Sequence, residues 1–262
     1  ISVAWTLSVN LPAGLTSSMN SYRAGRFIGS AALLASAFMA GAAEAQTHVQ
    51  YPPGAVVQPL ENVAASRLAG FVKALAIDPR NLTSLLGAGY AALETGDTAA
   101  ALSFFARDEE VARRDGRVKA GMGSAFVQTE QPHAALKFFA DAVALGAPMS
   151  VVAKDRGLAY DMVGDPARAQ ADYMVALQHG MDPEVERRLA LSRAISGDKA
   201  GALAAIEGQL RSNDPEARRA HVFVLALTGD TEGAVNAVRA AMPSQTLALR
   251  PFLAQLPSLA SA

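Results

Sequence analysis

The chain has 262 residues, a formal net charge of −1 and no cysteine. Near-neutrality gives no electrostatic footprint for nucleic acid, and the missing cysteines exclude a disulfide framework, a thiolate nucleophile and Cys-based zinc or iron–sulfur sites. Four scattered histidines (His48, His133, His179, His221) show no ligand spacing, so no metal site, cofactor or catalytic residue is read from the composition.

Residues 1–18 carry no charge and read as an upstream extension before Met19. Arg23 and Arg26, an apolar run from Phe27 to Ala40 and then Ala43-Glu44-Ala45 have the order of a secretory signal peptide. Residues 19–45 are therefore the expected leader, either cleaved before Gln46 or kept as an anchor, and the location is expected to be periplasmic or otherwise extracytoplasmic. The run is too short and too rich in Ala and Gly to span a bilayer comfortably, so the mature chain is expected to have no membrane span. Residues 46–59 hold three prolines and read as an extended linker.

From Leu60 onward the pattern turns helical and periodic. Leu68, Phe71, Val72 and Leu75 fall on one helical face. Turn anchors then recur at Gly96, Glu130, Gly164, Gly197 and Gly229, spaced by 34, 34, 33 and 32 residues. Seven positions before each anchor stands a small residue (Gly89, Gly123, Gly157, Ala190), replaced by Val222 in the last unit. Five positions after it stands Ala101, Ala135, Ala169, Ala202 or Ala234, and four later a large residue, Phe105, Phe139, Tyr173, Ile206 or Val238. The expected packing sets the small residue opposite the alanine, so that paired helices cross closely, with the bulky residue between repeats. Asp97, Asp165, Asp198 and Asp230 follow their anchors and suit helix N-caps, as do Asp182 and Asp214 before Pro183 and Pro215. After Met242, residues 243–262 read as a capping helix, Leu247–Leu256, interrupted by Pro251.

A helix–turn–helix unit of about 34 residues with these positions resembles the tetratricopeptide repeat (TPR) family over residues 60–242. The resemblance implies an all-α, right-handed solenoid with first helices lining a concave face, and a role in binding a protein or peptide. Bacterial envelope proteins similar to this one can carry a SPOR domain beyond the repeats, and none is read here. Carried over from the family, the groove positions are Lys154, Arg187 and Arg219 as a cationic row, Tyr90, Leu158, Leu191 and Phe223 as an apolar column, and Asp161 in the middle. No Asn stands where the family's carboxylate clamp needs one. The cations either meet an acidic partner or are solvated and paired with Glu184 and Glu216. If they meet a partner, reversing Lys154 and Arg187 to Glu weakens binding and leaves stability almost unchanged. The functional expectation is a non-enzymatic scaffold of the bacterial cell envelope. The alternative is a peptidoglycan- or polysaccharide-associated accessory protein whose wall-binding domain is missing from this chain.

Overall fold

The computed structural model describes residues 63–112, 114–241 and 246–260; the expected extension, leader and linker (1–18, 19–45, 46–59) lie outside them. The described residues form twelve α-helices and no strand. Helix α1 (Val63–Ile77) stands alone and is followed by five hairpins. These are α2 (Leu82–Glu94) with α3 (Thr98–Val111), α4 (Gly116–Gln128) with α5 (Pro132–Ala144), α6 (Met149–Met162) with α7 (Pro166–Gln178), α8 (Pro183–Ile195) with α9 (Lys199–Arg211), and α10 (Pro215–Leu227) with α11 (Thr231–Ala241). Helix α12 (Thr246–Ala260) closes the stack against α10 and α11. Each first helix packs on its own partner and on the first helix of the next hairpin, so the core runs along the array rather than filling one centre. This is an all-α solenoid of TPR-like repeats.

Four of the five hairpin turns are the same chemical device. Gly96, Gly164, Gly197 and Gly229 have φ between +79° and +85°, a conformation that costs glycine nothing. The N–H of Asp97 reaches the carbonyl of Ala92 (2.9 Å) while that of Gly96 reaches Leu93 (3.0 Å), the bond pair of a Schellman motif. The Asp97 carboxylate then accepts from the Ala100 N–H (2.9 Å), so one residue closes the first helix and caps the second. Asp165, Asp198 and Asp230 repeat this on Arg168, Gly201 and Gly233. Glu130 adopts the left-handed conformation without being glycine (φ 58°), and Gln131 after it makes no side-chain cap.

The packing behind the small residues adds a partner to the expected one. A Cβ on Gly89 would lie 2.4 Å from the Phe105 ring, and one on Gly123 or Gly157 would lie 2.7 Å from the Phe139 or Tyr173 ring. The missing side chain thus makes room for the aromatic of the partner helix, and the Phe105 ring also meets Gly121 of the next repeat, as expected of the bulky position. At Gly157 the backbone of the facing alanine also comes close, with Ala169 O 3.2 Å away. The alanines themselves are fully buried at all five positions. The C-terminal helix also departs from expectation: α12 runs through Pro251 and Pro257 instead of breaking. Burial of Leu253 and Leu256 against α10 and α11 offsets the lost helical bond.

Candidate binding surface on the first helices

The eight residues singled out from the sequence all lie on first helices, one turn or more from an N-cap. They do not act alike. Down the apolar column, Tyr90 and Leu158 remain half-buried, whereas Leu191 is 9% and Phe223 6% exposed. Phe223 lies under α12, sharing a small cavity with Leu249, Phe252 and Leu253. Leu191 and Phe223 therefore belong to the core, a correction to the expected apolar groove. For Phe223 the cause is that α12 packs over α10.

Tyr90 bridges repeats. Its hydroxyl donates to the Arg117 carbonyl (2.8 Å), joining α2 to α4, and its ring meets Phe105 edge-on at 5.3 Å. Burial pushes its pKa up, helped by Asp155 and Asp115. Arg117 grips Asp115, the N-cap of α4, with bonds of 2.6 to 3.2 Å. These two residues, with Gly146 and Pro148, line a cleft of about 650 Å³ where the α3–α4 and α5–α6 connections meet.

The cationic row is engaged throughout, a correction to its expected availability to an acidic partner. Lys154 Nζ donates to Asp182 (3.0 Å) and Glu184 (2.6 Å), so a side chain of α6 ties down the first turn of α8. Burial opposes the charge on Lys154, yet its bonds to Glu184 and Asp182 hold its pKa above the ordinary value. Arg187 donates to Gln209 (2.7 Å) and lies 3.8 Å from Asp214, the N-cap of α10. Arg219 pairs with Glu216 in its own helix (2.8 Å). Lys154 and Arg187 are thus struts between successive first helices. Lys154 pairs with Glu184 and Arg219 with Glu216, as one of the two sequence alternatives expects, whereas Arg187 meets Gln209 and Asp214 instead.

Asp161 heads a polar cluster at the junction of the third and fourth repeats. Tyr173 of α7 donates to one carboxylate oxygen (2.9 Å) and Ser192 of α8 to the other (2.7 Å). Burial raises the Asp161 pKa to about 7 against the opposing pull of these two bonds and of Arg188. Arg188 reaches Asp155 (3.4 Å) and also Glu184, linking the cluster to the Lys154 strut. Beside it Arg156 holds the buried Asp172 through two 2.7 Å bonds. Sequence reasoning missed Arg188, Tyr173, Ser192, Arg156 and Asp172. The available signal was a change of character down the repeat columns. Where the first two repeats have Leu93 and Val127, the third has Asp161, and where they have Phe105 and Phe139, it has Tyr173.

No family model matches the sequence, and no curated protein matches it. Solved structures do. PilW, a widely conserved type IV pilus biogenesis factor, is similar over 84% of this chain and 96% of its own, with a TM-score of 0.57 at 16% identity. YrrB, a TPR protein with an unusual peptide-binding site, is similar over 71% and 98% (TM-score 0.53, 18% identity). A thermophilic TPR protein in Thermus thermophilus is similar over 62% and 90% (TM-score 0.53, 22% identity). At these identities the likeness concerns the fold.

Proposed function

Starting from a chain that folds as a TPR-like solenoid, we propose that it is a non-enzymatic scaffold of the bacterial cell envelope. On this reading it binds a peptide or protein segment along its first helices. The observation that carries the proposal is the contraction of the apolar column to Tyr90 and Leu158, the two members that keep accessible surface. Leu158 shares its helix with Lys154 and Asp155, whose pairs with Glu184 and Arg188 are already oriented. Side chains fixed before binding lose little further entropy when a ligand arrives, which favours recognition. The envelope assignment is supported by Arg23, Arg26, the apolar run and Ala43-Glu44-Ala45. It is also supported by likeness in fold to a pilus biogenesis factor.

A photo-crosslinking amino acid at position 158, compared with one at position 208, tests the surface without a disruptive mutation. Gly208 lies exposed on a second helix with open space around it. Crosslinking in the native host to the same envelope protein from position 158 but not from 208 supports the proposal. Capture from 208 alone moves the site to the opposite face. Amino-terminal sequencing of the protein made in its own host tests the leader, and a retained leader in the cytosol refutes the location.

A further inference from the structure

The surface around Leu158 carries more anion than cation. Asp155 stands three residues before Leu158 and Asp161 three residues after it, so a carboxylate lies about one turn of α6 to either side. The first turn of α8 and its cap add Glu184 and Asp182, which Lys154 reaches at 2.6 Å and 3.0 Å. Arg188 is the second cation, shared between Asp155 and Glu184. Asp155, Asp182 and Glu184 thus exceed Lys154 and Arg188 by one charge before Asp161 is counted. Each anion is also more open than the cation it holds. The Glu184, Asp182 and Asp155 side chains are 46%, 38% and 29% exposed, against 34% for Lys154 and 22% for Arg188.

Tyr90 belongs to the same surface. It stands two repeats before Leu158 in one column, and Asp155 lies close enough to act on its hydroxyl. Ser124, the column member between them, is small and 5% exposed, so the column dips between two taller side chains. We propose that this dip takes a peptide segment carrying a lysine or arginine beside an apolar side chain, the cation facing Asp155 and Glu184 and the apolar group resting on Leu158. The inference rests on the scaffold reading and names the chemistry of its partner. An acidic segment does not fit, because Lys154 and Arg188 already hold carboxylates and would have to release them. A cation joins the cluster without displacing either pair, and its charge complements the excess of anion. The Tyr90 ring suits the same ligand, since an aromatic face attracts cations.

A randomised short-peptide library selected on the full chain, with a photo-crosslinking amino acid at position 158 or 208, tests this. Enriched peptides should carry lysine or arginine next to leucine, phenylalanine or tyrosine, and should crosslink at 158. The affinity of the best peptide should fall as salt rises. Asp155→Asn and Glu184→Gln should each weaken it about two- to fivefold, the range of a single exposed charge pair. Lys154→Gln should strengthen it by a similar factor, the opposite sign to that of a damaged site. Acidic or uncharged peptides crosslinked at 158 overturn the inference and leave the scaffold reading standing. No enrichment, or capture at 208 alone, overturns both. Any other sign in folded Asp155→Asn, Glu184→Gln or Lys154→Gln proteins overturns the cationic assignment even where basic peptides are selected.

Discussion

Asp108 is 1% exposed, and neither carboxylate oxygen has a hydrogen-bond partner. The repeat explains the isolation. Asp108 and Gln209 stand at the same distance, 12 residues, after their turn glycines Gly96 and Gly197. Gln209 is satisfied there: its amide donates to the Pro183 carbonyl (3.0 Å) and to Glu186 (2.6 Å), and its oxygen accepts from Arg187 (2.7 Å). In the first repeat those three positions are Leu82, Leu85 and Leu86, which offer no side-chain donor. Burial, reinforced by Asp115 and opposed by Arg117, lifts the Asp108 pKa from 3.8 to about 6. At 1.36 kcal/mol per unit, ionising this group in the folded state costs about 3 kcal/mol at neutral pH. Asp108→Ala copies Ala142, the fully buried residue of the second repeat. It should stabilise the protein by about 2–3 kcal/mol at pH 7, the small cavity left behind taking back part of the gain. The sign with pH follows from the raised folded value. Wild type carries no penalty below about pH 4 and the full penalty above about pH 6, so the advantage of the variant should grow across that window. Urea unfolding followed by circular dichroism at a series of pH values is the assay. A variant less stable than wild type at pH 7, or an advantage that does not change with pH, refutes the argument.

Lys154→Glu combined with Arg187→Glu should cost on the order of 3 kcal/mol or more. It places like charges against Asp182, Glu184 and Asp214 at partly buried sites. Thermal unfolding unchanged by the pair would show that the struts contribute nothing and return the row to partner binding. Ala169→Leu should cost about 1–3 kcal/mol, because this fully buried alanine packs where the Gly157 backbone comes close. Arg168→Gln, at an exposed side chain, should lie within about 0.5 kcal/mol of wild type; equal shifts for the two variants would contradict the observed register.

The turns and caps were legible because their chemistry is local. A left-handed position followed by a residue that can cap is written within six residues, and Gly96-Asp97 carries it whole. The strut pairings were not legible in detail. Whether Arg187 meets Glu216 or Asp214 depends on the rise and rotation between repeats, which no single helix encodes; the structure chooses Asp214 and Gln209. The burial of Phe223 was hidden for a related reason. It depends on α12 passing through Pro251 as a continuous helix packed over Phe223, whereas a proline in a helical pattern argues locally for a break. The Asp161 cluster was readable in principle, by following one column down all five repeats rather than one helix along its length. A carboxylate in a column otherwise occupied by Leu93, Val127, Ala194 and Ala226 needs partners, and Tyr173 and Ser192 are the residues that change with it.

The glycines offer the sharpest test of the packing, because one substitution should act with opposite signs at different places. The Phe105 ring is held between two backbones: a Cβ on Gly89 would stand 2.4 Å from it and one on Gly121 2.3 Å. Gly70 and Gly208 have open space around the same position. Replacing an exposed helical glycine by alanine recovers up to about 1 kcal/mol of helix propensity. Gly70→Ala and Gly208→Ala should therefore stabilise. Gly121→Ala gains the same propensity but forces a ring with no free volume to move, at about 1–3 kcal/mol, and should destabilise on balance. The steric part can be isolated. In a Phe105→Leu background the obstructing ring is gone, and Gly121→Ala should become neutral or favourable although the background itself is weaker. Urea midpoints for the four proteins of that cycle measure the coupling. A Gly121→Ala cost that persists unchanged without the ring would mean that the glycine serves the backbone, not the aromatic, and the packing assigned to the small-residue column would be wrong.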